Sequence, residues 1–214
     1  MTIKYTVYYA TKSSFKQEEL TAIFDSCQLV GKDQQLVKAS DAFDIRPVDV
    51  RTDEPLERDL AAMVKHKAKS AFRSLLAPCI VEHAGLVLEG FENGNYPGGL
   101  TQPMWDALGA EDFVKSLDWA GKNVIARAVV GYCDGARVNV FKGETKGILT
   151  DKPRGDRRFY WDTIFCPDGG NGKTYSEIYE QQGIGEKMRL SQSAKAIKEF
   201  MQMALLNPSE LYPE

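Results

Sequence analysis

What most narrows the fold of this chain is that its apolar residues repeatedly switch period. Lys4 to Ala10 is a strand-like run of Tyr, Val and Thr. After the polar break Thr11-Lys12-Ser13-Ser14-Phe15-Lys16, Leu20, Ile23, Phe24 and Cys27 recur at helical spacing, and Ser14 with Gln17 fits a capping box. Such a strand–polar loop–helix opening offers backbone N–H groups to an anion. Strand-like pieces follow around Leu36 and from Ile45 to Val50. Glu57 to Leu76 predicts a helix, its stripe made by Leu60, Met63, Val64, Ala68, Ala71, Phe72 and Leu75. Cys79-Ile80-Val81 and Leu86-Val87-Leu88 predict two buried strands flanking a polar elbow, Glu82-His83-Ala84-Gly85. Asn93 to Gly99 reads as loop, and Trp105 to Trp119 as a helix broken near Gly109. Val124 to Tyr132 and Val138 to Phe141 predict a hairpin across Asp134-Gly135, followed by turns from Gly143 to Gly155. Tyr160 to Phe165 reads as an aromatic strand ended by Pro167, and Ser191 to Leu206 as a last amphipathic helix. Strands alternating with helices argue an α/β fold.

Length sets the scale: 214 residues, at roughly 100–200 per domain, make one large domain or two small lobes. Such a chain buries a core without a metal or disulfide staple. Its 27 basic and 30 acidic side chains leave a net charge of −3, so the basic footprint of a nucleic-acid binder is missing. A local basic pocket for a small anion stays open. No apolar run nears the ~20 residues of a membrane helix. Met1-Thr2-Ile3-Lys4-Tyr5 leads into a strand without a signal-peptide core, so a cytoplasmic protein is expected. Cys27, Cys79, Cys133 and Cys166 form no C-x-x-C pair and read as buried free thiols; His66 and His83 complete no zinc spacing.

Several segments have two readings. Gly172-Lys173-Thr174 lacks the earlier glycine of a phosphate loop, where Pro167 stands, and reads as a turn. The basic run Lys65, Lys67, Lys69, Arg73 is either a solvated helix face or a source of a lysine for phosphate. Glu82-His83 is either a satisfied strand end or the edge of a site. Phe159-Tyr160-Trp161-Asp162 is either core, or a π-face beside an acceptor for the N–H groups of a stacked base.

In this order, the pieces resemble the inosine triphosphate pyrophosphatase family, which hydrolyses noncanonical purine triphosphates. The likeness covers nearly the whole chain. Ala10-Thr11 through Lys16 is similar to A-T-G-N-x-x-K, and Lys67-Ala68-Lys69 with Glu82-His83-Ala84-Gly85-Leu86 to the K-A-R helix and D-D-S-G or E-D elbow. Pro97-Gly98, Trp105 and Leu108-Gly109 resemble P-G-x-Y…L-G. Phe141-Lys142-Gly143, Gly147, Pro153-Arg154-Gly155, Phe159, Trp161-Asp162, Phe165 and Pro167-Asp168-Gly169 follow F-x-G…G…P-R-G…F-G-W/Y-D-P-x-F-x-P-D-G. Thr174 to Glu177 resembles T-Y/F-A-E, and Glu186-Lys187…Ser191 the K-N-x-x-S-H-R stretch.

The resemblance implies a long twisted mixed sheet with two lobes and a central nucleotide cleft, residues 1–214 forming one such domain. It implies that Thr11, Ser13 and Lys16 of the opening loop bind the nucleotide, and that Lys16, Lys67 and Lys187 bind its triphosphate. Phe159 would stack on the purine, Trp161 and Asp162 would line the base pocket, and Ser191 with Gln192 would meet the base or sugar edge. Glu82 would hold Mg²⁺ and act with His83 at the catalytic elbow; Asp49, Asp53 and Glu54 are candidates for a second metal acid. A homodimer is also implied.

The departures are informative. His83 replaces the elbow's second acid, and imidazole is a poor Mg²⁺ ligand. S-H-R reads Ser191-Gln192-Ser193, and Lys12 and Ser13 replace Gly and Asn. Phosphate lysines and an aromatic pocket without the catalytic acid describe a binder that hydrolyses poorly. Degenerate members of this fold sense dITP in anti-phage systems of the Kongming type, beside a sirtuin-like NAD-hydrolysing protein. The expectation is therefore a weak or inactive sensor with a partner effector. The alternatives are an active Mg²⁺-dependent pyrophosphatase acting on dITP, ITP or XTP, and a ligand-free scaffold.

Overall fold

The computed structural model describes residues 4–91, 94–118 and 121–210, without the side chains of residues 117, 157–159 and 210. The chain runs β1 (Tyr5–Ala10), α1 (Ser14–Ser26), β2 (Gln28–Val30), β3 (Leu36–Lys38), α2 (Ala39–Ala42), β4 (Phe43–Val48) and α3 (Leu60–Leu75). It continues through β5 (Cys79–Leu88), α4 (Thr101–Leu117), β6 (Asn123–Cys133), β7 (Val138–Leu149), β8 (Phe165–Pro167), α5 (Tyr175–Gln182), α6 (Ile184–Leu190) and α7 (Gln192–Leu206). Six strands form a mixed sheet in the order β4-β1-β5-β6-β7-β8, parallel between β4, β1 and β5 and antiparallel from there on. This is the expected α/β fold.

Period-two alternation divides the core. Cys79 and Val81 face α3, packing with Leu60, Val64, Ala68 and Ala71, while Ile80 packs on the other face with Tyr132, Ile197 and Phe200 of α7. A third cluster fills the far end, where Trp105 and Phe113 of α4 meet Phe165 and Tyr175. The four cysteines are free, with Cys27 only half-buried.

Several expectations are corrected. The elbow is not a turn: β5 is one strand, paired with β6 from Cys79↔Cys133 to Leu88↔Val124. Gly85 has a packing reason, since a Cβ there would lie 2.1 Å from the Gly98 carbonyl oxygen. The segment from Gly143 is strand, not turn: in β7, Gly143, Thr145, Gly147 and Leu149 face inward, and Glu144, Lys146 and Ile148 outward. A Cβ on Gly143 would meet the Gln192 carbonyl at 1.9 Å, so glycine lets the start of α7 lie on the sheet. Residues Arg157–Thr163 form a 3₁₀ helix, not a strand. The cap of α1 is Ser13, whose Oγ accepts from the Lys16 N–H, rather than Ser14 with Gln17. Helices α5 and α6 carried too short a pattern to be predicted. Gly109 breaks α4 as expected (φ 73°, ψ 169°), while Trp119 lies outside the described residues.

Candidate functional site

The sheet opens a cleft because β1 and β5 differ in length. Their pairing ends at Tyr9↔Ile80, and β5 runs on to Leu88. Glu82, His83 and Ala84 therefore lie beyond the end of β1, at the carboxyl ends of the parallel strands, where open α/β sheets place ligands. Two cavities of about 340 Å³ each meet there and share Ser13, Lys16, Lys67 and Glu82.

The first cavity is polar and cationic, lined by Thr11, Lys12, Ser13, Lys16, Arg51, Glu54 and Lys67 among others. The hydroxyls of Thr11 and Ser13 shape the turn into α1: Thr11 Oγ1 accepts from the Ser13 N–H and Ser13 Oγ from that of Lys16. Glu82, 3% exposed, forms the junction. Its Oε2 accepts from the Tyr9 hydroxyl at 2.7 Å; its Oε1 accepts from Ser193 Oγ at 2.7 Å and pairs with Lys16 Nζ at 3.3 Å. Burial disfavours its charge, but Lys16 and the two hydroxyls outweigh that and hold the carboxyl below its ordinary value. Lys67 Nζ donates to Glu54 Oε1 at 2.6 Å and to the Glu82 carbonyl at 3.3 Å. Burial, and then the neighbouring Lys16, lower its pKa. Glu54 Oε2 lies 3.5 Å from His83 Nδ1. His83 and Lys67 together hold the Glu54 carboxyl down to about 2. His83 Nε2 is buried without a hydrogen-bond partner among the described residues.

The second cavity adds Phe15, Gln102, Asp106, Tyr160, Trp161, Asp162, Lys187 and Gln192. Lys187, whose side chain is 5% exposed, lies between Asp162 at 2.6 Å and Glu19 at 2.8 Å. Burial opposes every charge in this trio. The two acids still keep Lys187 above its ordinary pKa, while one lysine is too little for both carboxyls, and each stays raised. Gln192 meets the Tyr175 hydroxyl at 3.1 Å, and Gln102 donates to Asp106 at 2.8 Å across one turn of α4.

The cleft thus has a cationic end joined to an end lined by aromatic rings and carboxylates. A family model described as Ham1 family matches residues 7–203. The chain belongs to the Ham1 family. It is 28% identical over 195 residues to a dITP/XTP pyrophosphatase of Hyperthermus butylicus, covering 91% of this chain and 92% of the relative. It is 32% identical over 176 residues to an inosine triphosphate pyrophosphatase of Scheffersomyces stipitis, covering 81% and 86%. A HAM1 protein structure from Coxiella burnetii superposes with a TM-score of 0.67 at 16% identity, over 93% of this chain and 98% of that one, which shows the shared fold.

Within this Ham1 chain the cleft gathers Thr11, Ser13, Lys16, Lys67, Glu82, His83, Trp161, Asp162, Lys187 and Gln192, all expected from sequence. Lys187 is paired with two carboxylates, and Ser191 is the N-cap of α7, its hydroxyl accepting from the N–H groups of Ser193 and Ala194. The Phe159 side chain lies outside the described residues. Of the three candidate acids, Glu54 lines the cleft, whereas Asp53 turns to Ser70 of α3 and Asp49 to Lys12.

Sequence reasoning missed Tyr9, Glu19, Gln102 and Asp106. A tyrosine in a strand beside a buried acid is a signal only once the register is known. As for Mg²⁺, no group of three His, Cys, Asp or Glu among the described residues makes a metal cage, and Glu82, expected as the metal ligand, already accepts on both oxygens. The donor set fits only an ion brought in on phosphate oxygens, sharing the half-exposed Glu54.

Proposed function

We propose that this chain binds noncanonical purine nucleoside triphosphates of the dITP and ITP class and hydrolyses them weakly or not at all. Triphosphate meets Lys16 and Lys67, and the base enters the cavity walled by Trp161, Asp162 and Gln192. Residues 1–214 act as one cytoplasmic domain, in a homodimer or in a complex with an effector such as a sirtuin-like NAD-hydrolysing protein in anti-phage defence. The observation that carries the reading is the state of Glu82. Its oxygens are engaged by the Tyr9 and Ser193 hydroxyls and by Lys16, so a metal ion or an activated water would compete with that network for the carboxylate's remaining lone pairs. Its neighbour is an imidazole in place of the family pattern's second acid.

The test pairs calorimetric binding of dITP and ITP with pyrophosphate release in Mg²⁺. Tight binding with turnover far below ~1 per second is expected, and His83→Asp should raise turnover by roughly 10²-fold, the contribution of one positioned base. Wild-type turnover of ordinary enzyme speed would remove the sensor reading.

One observation favours the alternative, an active Mg²⁺-dependent pyrophosphatase acting on dITP, ITP or XTP. Glu54 faces the cleft beside His83, whose Nε2 is unpartnered among the described residues. In that reading Glu54 would be the residue to share a Mg²⁺ ion with the triphosphate, and the ion would supply neutralisation of phosphate charge. His83, oriented by Glu54, takes the proton of the attacking water. His83→Ala abolishing a fast wild-type turnover would support it.

A further inference from the structure

Tyr160 holds a backbone conformation that suits glycine. Its φ is +48°, in the left-handed region that a bulky side chain rarely enters. Hydrogen bonds hold the turn: Thr163 Oγ1 donates to the Tyr160 carbonyl at 2.9 Å, and the Ile164 N–H to that of Trp161 at 3.0 Å. Backbone of this kind persists where its surroundings over-determine it, and it clusters at ligand sites.

The neighbouring aromatic shows what the conformation achieves. Trp161, also on the cavity wall, is 6% exposed and packs edge-on to Phe165, so most of its ring is buried against the core. Tyr160 is 48% exposed and lines the second cavity with Gln102, Asp106 and Asp162. A ring left in water at the mouth of an acid-lined cavity, on a backbone that glycine would adopt at no cost, contributes nothing to packing that a smaller residue would not.

We propose that Tyr160 closes the base end of the cleft: a purine stacks on its phenol face, and this contact separates the affinity for a nucleoside triphosphate from that for the bare triphosphate. The proposal rests on reading the cleft as a purine triphosphate site. A flat aromatic ring is the partner such a face selects, because offset stacking needs two planes. It also tolerates changes at the base edge, leaving edge discrimination to groups such as Gln192.

The test is calorimetric titration of ITP and of inorganic tripolyphosphate into wild type, Tyr160→Gly and Tyr160→Phe. Glycine adopts positive φ freely, so Tyr160→Gly should fold and melt no lower than wild type. It should weaken ITP roughly tenfold, the effect of one stacked base, and leave tripolyphosphate within about twofold. Tyr160→Phe should match wild type. Equal ITP affinity in Tyr160→Gly would overturn the proposal and leave the purine site standing. Parallel loss of both ligands would make Tyr160 a structural residue, and loss in Tyr160→Phe would make the hydroxyl the contact. Wild type that binds neither ligand removes the purine reading and this proposal together; wild type that binds both equally removes only the proposal.

Discussion

At the phosphate end of the cleft each lysine leans on one carboxylate: Lys16 on Glu82, and Lys67 on Glu54. At the base end one lysine, Lys187, serves two, Glu19 and Asp162. The difference in stoichiometry supports the proposed assignment of the ends. A triphosphate entering between Lys16 and Lys67 exchanges protein carboxylates for phosphates, and Lys12 and Arg51 beside it add further attraction. The same anion brought to Lys187 would meet an excess of negative charge. In the proposed reading Lys187 would hold Asp162 against the base cavity rather than bind the triphosphate.

The largest effect should come from removing that shared cation. Lys187→Met leaves two buried carboxyls facing each other, and breaking a buried pair from one side costs about 3–5 kcal/mol. The sign with pH follows from the raised carboxyls. In the variant the folded state binds protons more tightly than the unfolded chain, so stability recovers as pH falls and worsens as it rises. Urea melts at acidic and mildly alkaline pH should differ in that direction; equal losses at both would mean that Lys187 acts only by filling space.

Next in size is Lys16→Met, the matching change at the other end. A hydrogen bond to a charged group contributes ~1.5–3 kcal/mol, so ITP and tripolyphosphate affinities should fall together by ~10–100-fold. Glu82 keeps the Tyr9 and Ser193 hydroxyls, so the fold should survive. If only ITP weakened, the assignment of the two ends would be reversed.

How much of this was legible depended on what local pattern encodes. β1, α3, the break at Gly109 and α7 follow from period and turn chemistry alone. The polar pair Glu82-His83 disguised β5, because a strand that outruns its neighbour at the mouth of a cleft accepts polar groups that a fully paired strand would not. The inward positions of β7 are partly glycines, Gly143 and Gly147, so a count of apolar residues cannot find their alternation; backbone approaching from Gln192 and Cys166 is what requires them. In the site, Lys16 and Lys67 were readable from motif likeness. The capture of Lys187 was not, because Glu19 and Asp162 are brought together by tertiary packing. Nor was the choice of Glu54 over Asp49 and Asp53, three acids in one extended stretch that differ only in which way each turns.

Glu54 offers the finest division between the ends. It competes with an entering phosphate for Lys67 and is also the acid able to share a metal, so Glu54→Gln should act in opposite senses under two conditions. Without divalent cation, tripolyphosphate should bind a few-fold tighter, because Lys67 no longer has to give up a carboxylate. With Mg²⁺ the gain should shrink or reverse, because the ion loses a ligand. The Glu54 side chain is 40% exposed, so solvent screens the pair and the direct stability change should stay below about 1 kcal/mol. That contribution has its own pH window. The carboxyl is held at about 2 against an ordinary 4.5, so it is complete above about 4.5 and is lost as pH falls toward 2. Glu54→Gln should therefore lower the melting temperature slightly near neutrality, with the difference from wild type shrinking to nothing as pH falls toward 2, so that the acid limb of the profile flattens. An affinity change of the same sign with and without Mg²⁺ would show that Glu54 only screens Lys67 and holds no metal.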